Sequence, residues 1–284
     1  MLNSDRMKTG SIFTFSFILF LLVSCERDAD IKLPPVPARI AVNCYISPGD
    51  SVIAWVSEVK SLFDRDAGFN ARFIENAAVM ISNGNDSVFL QLDQVTREFY
   101  HKSGPGFMIE KGRTYFLRAE APGFPPVSAS CTVPTEKVAD FQYAYTAVPE
   151  GTDTLISIFF SWKDIPGQKN YYRIAASLID SFSFFPNQYL FDFSQNMHAD
   201  EGNDGGLLSS GKGQMFLSNG NVSSRHIKST LITCEEHYYR YHLSLHNYSG
   251  NNPFVEPSQL YTNMQGGLGV FGAYLQETKH ERIF

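Results

Sequence analysis

Lys111-Gly112-Arg113-Thr114-Tyr115-Phe116-Leu117-Arg118-Ala119-Glu120 is the stretch on which the fold turns. Tyr115, Leu117 and Ala119 alternate with Phe116, Arg118 and Glu120, a period of two that sets one face toward a core and the other toward solvent. Gly112 stands three residues ahead of Tyr115, the placement of a tyrosine corner, in which the phenol ties a sandwich strand to backbone upstream. Neighbouring segments repeat the pattern. Ile40, Val42, Cys44 and Ile46 alternate, Ser47-Pro48-Gly49-Asp50 supplies a turn, and Val52, Ala54, Val56 and Val59 continue beyond it. Residues 77–81 and 88–92 flank Asn83-Gly84, the signal of a hairpin. Residues 38–134 therefore read as one immunoglobulin-like β-sandwich of about seven strands.

Pro134 and Glu136-Lys137 mark the end of that domain. Residues 135–284 read as a second β-rich domain, with strands at 155–162, 171–179, 214–218 and 227–233 and a loop-rich insertion at 181–213. One helix is expected near the C-terminus. Thr233 and Glu236 have capping-box spacing, Gly250 sits where a helix would stop, and Tyr238, Tyr241, Leu245 and Tyr248 share a helical face. The fold class is mainly β. Composition agrees, since 24 Phe, 14 Tyr and recurrent Val, Ile and Thr favour sheet over helix.

The N-terminus carries an address. Lys8 precedes an apolar run from Ile12 to Val23, which ends in Leu22-Val23-Ser24-Cys25. The run is too short to span about 30 Å of hydrocarbon, which needs about 20 residues, and its charged-then-apolar layout is that of an export signal. Residues 1–24 read as a lipoprotein signal peptide and Cys25 as the lipidated N-terminus of the mature chain. Residues 25–37 form an acidic, Pro-rich tether, with Glu26, Asp28 and Asp30 followed by Pro34, Pro35 and Pro37.

Formal charge is −6 and no basic run occurs, so a nucleic-acid footprint is lacking. Three cysteines remain after Cys25. Cys44 lies on the first strand of the sandwich and Cys131 on its last, so a Cys44–Cys131 disulfide is one reading and buried free thiols the other. The thiols are too dispersed for a zinc site. Gly267-Leu268-Gly269-Val270-Phe271-Gly272 matches G-x-G-x-x-G, but too little chain follows for a dinucleotide-binding unit. Glycines for tight turns and close packing explain it better. His242 and His246 would share a helical face, yet no Glu follows His242, so the metalloprotease pattern fails. Asp200-Glu201-Gly202-Asn203-Asp204-Gly205 offers oxygen ligands without the spacing of a calcium loop. No nucleophile elbow or phosphate loop is present. No catalytic residue, metal ligand or cofactor site is assigned. Phe182, Phe184, Phe185, Tyr189, Leu190, Phe191 and Phe193 crowd the insertion. They read either as core or as an exposed contact, with Phe184, Phe185, Tyr189 and Phe191 as the candidate partner-contact residues.

Several segments resemble the Bacteroidota lipoprotein family of domain of unknown function 4249. They are residues 39–50, 112–124, the Thr132-Val133-Pro134 strand end, the Tyr-rich helix, Pro253-Phe254-Val255-Glu256-Pro257, and 263–272. The acidic residues behind Cys25 resemble the surface-export signal of such lipoproteins. The resemblance implies an outer-membrane lipoprotein of a kind often found alongside TonB-dependent transporters, and it supplies no catalytic residues. With the lipid anchor, the two β-rich domains, the aromatic insertion and the acidic residues behind Cys25, the expectation is a non-enzymatic lipoprotein facing the cell exterior, an accessory or partner of such a transporter. A surface glycan-binding module is the alternative, since exposed aromatic faces on β-sandwiches stack on sugars.

Overall fold

The computed structural model describes residues 38–59, 72–180, 187–218, 225–248 and 259–282. Cys25, Phe184, Phe185 and the 253–257 segment lie outside them. In chain order the strands are β1 (Ile40–Ile46), β2 (Val52–Glu58), β3 (Ala78–Ser82), β4 (Ser87–Phe89), β5 (Gln91–Leu92), β6 (Phe99–His101), β7 (Thr114–Glu120) and β8 (Val127–Thr132). There follow β9 (Phe141–Glu150), β10 (Asp153–Lys163), β11 (Tyr171–Asp180), β12 (Asn187–Leu190), β13 (Asp192–Phe193), β14 (Met197–Ala199), β15 (Leu207–Ser209), β16 (Gly213–Ser218) and β17 (Arg225–Cys234). Helix α1 (Glu236–His246) and the long strand β18 (Leu268–Arg282) complete the chain.

The first half is the expected sandwich. One layer runs β1-β2-β6-β5 and the other β4-β3-β7-β8, the strand order of an immunoglobulin constant-type domain with one added edge strand. Alternation on β1 buries Ile40, Val42, Cys44 and Ile46, and alternation on β7 buries Tyr115, Leu117 and Ala119. The tyrosine corner is present: the Tyr115 hydroxyl donates to Met108 O at 2.9 Å and accepts from Glu110 N at 2.8 Å. The β3–β4 turn carries Gly84 at φ +92°, with Asn83 Oδ1 accepting from Asn85 N and Asp86 N.

The second half packs a sheet of β12-β11-β17 and the end of β18 against β9, β10, β13, β15 and β16. Ile156, Ile158, Phe160 and Trp162 of β10 meet Tyr172, Ile174 and Leu178 of β11 in a second core. The insertion contains more regular structure than its sequence suggests, because β12 to β15 all fall within 181–213. β9 is likewise a strand where none was expected.

The C-terminal strand links the two halves. Residues 268–273 pair in parallel with β1, and residues 274–282 pair antiparallel with β17, so one sheet runs through both halves. The sequence of β18 changes character at the crossover. Phe271, Ala273 and Leu275 fill the first core. Glu277, Lys279 and Glu281 instead meet Lys137, Asp140 and Tyr143 along the second sandwich. The glycines ahead of the crossover exist for backbone approach. A Cβ on Gly269, which has φ +102°, would fall 2.1 Å from Val42 O, closer than any real contact.

Helix α1 lies on the outer face of this continuous sheet, over Tyr171, Ile232 and Cys234 and beside Tyr45 and Tyr274. Its cap differs from the expected capping box. Glu235 is the N-cap, accepting from His237 N and Tyr238 N, whereas Thr233 is buried on β17 and accepts from Val138 N. The β17 strand runs on to Cys234 and takes Thr233 with it. Tyr238 and Tyr241 are buried, but Leu245 and Tyr248 are exposed, since the helix outruns the sheet beneath it.

Candidate functional site

A concavity lies on the outer face of the first sandwich. Period two on β7 turns Phe116 outward, and the register places it between Ser82 of β3 and Ser130 of β8. These small neighbours leave it half exposed. Ser128, two residues from Ser130, points to the same side. Against this floor stands a wall made by residues 259–265 and the first turn of α1. Together they enclose a trough of about 540 Å³ lined by Phe116, Ser128, Ser130, His237, Tyr261, Asn263 and Gln265, with Leu117 and Ala129 beneath.

The wall is fastened at each step. Gln265 and Ser128 exchange backbone hydrogen bonds of 2.8 and 3.1 Å. Asn263 accepts from Phe271 N and donates to Phe271 O and Ser130 O. Met264 is buried in the first core, and a Cβ on Gly266 would fall 2.4 Å from Pro126 O. Tyr261 N donates to Ser244 Oγ, and its ring lies 4.3 Å from the Arg240 guanidinium carbon. Its hydroxyl shares a 2.6 Å hydrogen bond with His237 Nδ1. Burial holds the His237 imidazole below its ordinary range, so it is neutral at physiological pH. The side chains of Ser128, Ser130 and Gln265 have no hydrogen-bond partner among the described residues.

Behind the trough, the helix cap has unusual electrostatics. Burial pushes the Glu235 carboxyl up to about 7, against the pull of the backbone N–H groups it accepts from. Further along the helix, His242 stacks on Tyr45 and lies tilted against Tyr238, with its Nε2 3.4 Å from Arg173. Burial, then the Arg173 charge, lower its pKa to about 3. Arg173 donates to the Tyr238 hydroxyl at 2.9 Å, and its Nε is buried without a partner.

A second constellation gathers three carboxylates. Asp164, which follows β10, joins Asp200 and Asp204 so that one oxygen of each lies within 4.8 Å of the others. Asp164 and Asp200 are buried. These are the residues that could hold a cation, and each already accepts at least one hydrogen bond. Asp164 accepts from the Tyr172 hydroxyl at 2.5 Å, from Asn170 and from Gly205 N. Asp200 accepts from Asn170 N, and Asp204 from Gly167 N. The donors around them explain the burial as a knot that closes the loop.

The family described as Domain of unknown function (DUF4249) matches residues 26–280. The chain belongs to this family. None of the curated proteins matches it.

The residues singled out from this family member's sequence divide. Cys44 and Cys131 are free thiols buried in the first core, so the disulfide reading gives way to the free-thiol one. β1 pairs with β2 and β18, and β8 with β7, so the first and last strands of the sandwich are not ladder neighbours. Phe191 is buried in the second core and drops out of the contact patch, because its chain there crosses between the two sheets. Tyr189 and Leu190 remain exposed on β12. His242 and His246 share the helix but diverge, with His246 Nε2 beside Ser194 O at 2.8 Å. Phe116 was not singled out from the sequence, although the alternation of β7 sets it on the outward face. The wall of the trough carried no comparable signal, since it arrives from more than a hundred residues away.

Proposed function

We propose that this chain is a non-enzymatic outer-membrane lipoprotein, anchored through Cys25 and facing the cell exterior, that serves as an accessory subunit of a TonB-dependent transporter. The observation that carries the reading is the edge strand β12. Its outer backbone edge has no partner strand among the described residues, and it presents Tyr189 at 43% and Leu190 at 74% exposure. Sheet edges are ordinarily protected by charge, proline or a bulge. Asn187-Gln188-Tyr189-Leu190 contains neither charge nor proline. The chain passes directly from β12 in one sheet to β13 in the other, and β13 pairs with β16. Phe216 of β16 is exposed as well. An uncharged edge bordered by apolar side chains suits docking against another protein. The anchor does the rest, since two acyl chains hold a protein at a membrane stably and raise its local concentration there.

The test is affinity purification of the tagged, lipidated protein from gently solubilised outer membranes, followed by mass spectrometry. A near-stoichiometric TonB-dependent transporter is expected. Its recovery should fall at least about tenfold in a Tyr189→Asp/Leu190→Asp variant. Recovery of the wild-type protein alone would overturn the accessory role, and undiminished recovery with the variant would remove this edge from the interface.

A further inference from the structure

The trough on the first sandwich lies on a different part of the molecule from the β12 flank, and the argument for it is independent of docking. We propose that it is a binding site for a neutral, hydroxyl-rich ligand, a short segment of an uncharged oligosaccharide. Its volume of about 540 Å³ falls within the range of ~300–1,000 Å³ typical of small-molecule sites.

The lining selects the chemistry by what it offers and what it withholds. Among the described residues, no Lys, Arg, Asp or Glu lines the trough. The described charges around it are engaged: Arg118 pairs with Glu120, Arg240, stacked on Tyr261, pairs with Glu236, and Glu235 accepts from His237 N and Tyr238 N. An anionic ligand would find no fork of donors, and a cationic one no carboxylate, so either would lose hydration without recompense. The uncommitted groups are two hydroxyls and one carboxamide, on Ser128, Ser130 and Gln265. Each can both donate and accept. That is the complement of a ligand whose own polar groups are hydroxyls.

Phe116 supplies the other half of the match. A half-exposed phenylalanine flanked by serines is an apolar surface set among hydrogen-bonding groups. A sugar ring has the same division, with a C–H face and a rim of hydroxyls. An extended peptide fits less well. β8 is the edge of its sheet, but Gln265 and Asn263 already occupy the Ser128 and Ser130 backbone groups that a new strand would need. The site therefore reads its ligand through side chains. It is also preorganised, because Asn263, Met264 and the Gln265 bridge fix the wall beforehand, which reduces the ordering cost of binding.

The test is native affinity electrophoresis of the full-length lipidated protein in detergent. The gels would contain dextran, laminarin, galactomannan, xyloglucan or, as an anionic control, polygalacturonate. At least one neutral polysaccharide should retard migration. Phe116→Ala should weaken that retardation about tenfold, and Gln265→Ala about threefold or more. Both side chains border solvent, so the melting temperature of each variant should stay within about 2 °C of the parent. A variant that melts far below this is replaced by Ser128→Ala/Ser130→Ala, for which the same loss is expected. Failure of all four neutral polysaccharides to retard the protein would overturn the proposal. So would retardation by polygalacturonate alone, or retardation that survives every one of these variants.

Discussion

The two sandwiches reach the same architecture by different means. The first is closed by local turns. Gly49 and Gly84 take positive φ between adjacent strands, and the Tyr115 corner ties β7 to backbone five and seven residues upstream. The second is closed by contacts distant in sequence. Asp164 holds Gly205 across 41 residues, Lys137 meets Glu277 across 140, and Ser210 Oγ accepts from Phe160 N across 50. Strand β18 belongs to both, with its apolar half in one core and its charged half on the other. Local closure leaves a legible sequence. Distant closure leaves runs that look like loops until their partners are known.

The strongest way to break this comparison is at the shared strand. Gly269→Ala sets a Cβ against the Val42 carbonyl at a positive φ, and should cost about 3 kcal/mol or more. If β18 couples the halves, both should lose stability together. Labelling of Cys44 by a thiol reagent reports the first core and fluorescence of Trp162 the second. Separate transitions would mean that the sandwiches fold independently.

Next comes a contrast between the two closures. Asp164→Ala leaves the Tyr172 hydroxyl and Gly205 N without their acceptor, and should cost about 3 kcal/mol in the second core. Tyr115→Phe removes two hydrogen bonds in the first and should cost about 1.5 kcal/mol. Urea unfolding measures both. The reverse ranking would mean that the corner, not the buried carboxylate knot, is the more demanding device.

The cap beneath the trough sharpens the comparison through pH. Burial raises the Glu235 carboxyl to about 7, against an ordinary value near 4.5. The folded state therefore holds a proton that the unfolded chain has already released between these values. The contribution of this group is present at acid pH and is lost as pH rises toward 7. Glu235→Gln should remove that loss, so the variant's stability relative to the parent should increase by about 2 kcal/mol between pH 5 and pH 8. His242 and His237, whose pKa values are lowered by burial, act in the opposite direction in both proteins and cancel in the difference. A difference that does not change with pH would place the Glu235 carboxylate in better contact with water than its burial indicates.

The smallest effect concerns the thiols. Cys44, Cys131 and Cys234 are free and buried, and burial raises the pKa of each, which suppresses the reactive thiolate. Dithiothreitol should leave the melting temperature unchanged within about 1 °C. A clear fall would reveal a disulfide after all.

The candidate site shows where sequence reading stops. Alternation identified Phe116 as outward-facing and Tyr115 as a corner residue, because both facts depend on a period of two and a glycine three residues away. The helix was legible from its tyrosine face, yet its cap shifted from Thr233 to Glu235, since pairing with β18 and β11 draws β17 on to Cys234. In the insertion, an aromatic run gave no means of telling Phe191, which the crossover buries, from Tyr189 and Leu190, which β12 exposes. The Asp200–Gly205 segment was visible as an oxygen-rich loop, but nothing near it pointed to Asp164.

By itself the sequence determined the mainly β class, the first sandwich with its turns and corner, and the presence of one helix near the C-terminus. Those features depend on residues a few positions apart, where backbone sterics and side-chain periodicity act alone. Only the tertiary structure decided that residues 268–282 would carry one sheet through both halves, that 259–265 would wall a trough over β8, and that three aspartates would share one knot. Such pairings depend on which hydrogen-bonding edges and apolar faces remain unfilled once the rest of the chain has folded, and that is a property of the assembled sheets rather than of any local pattern.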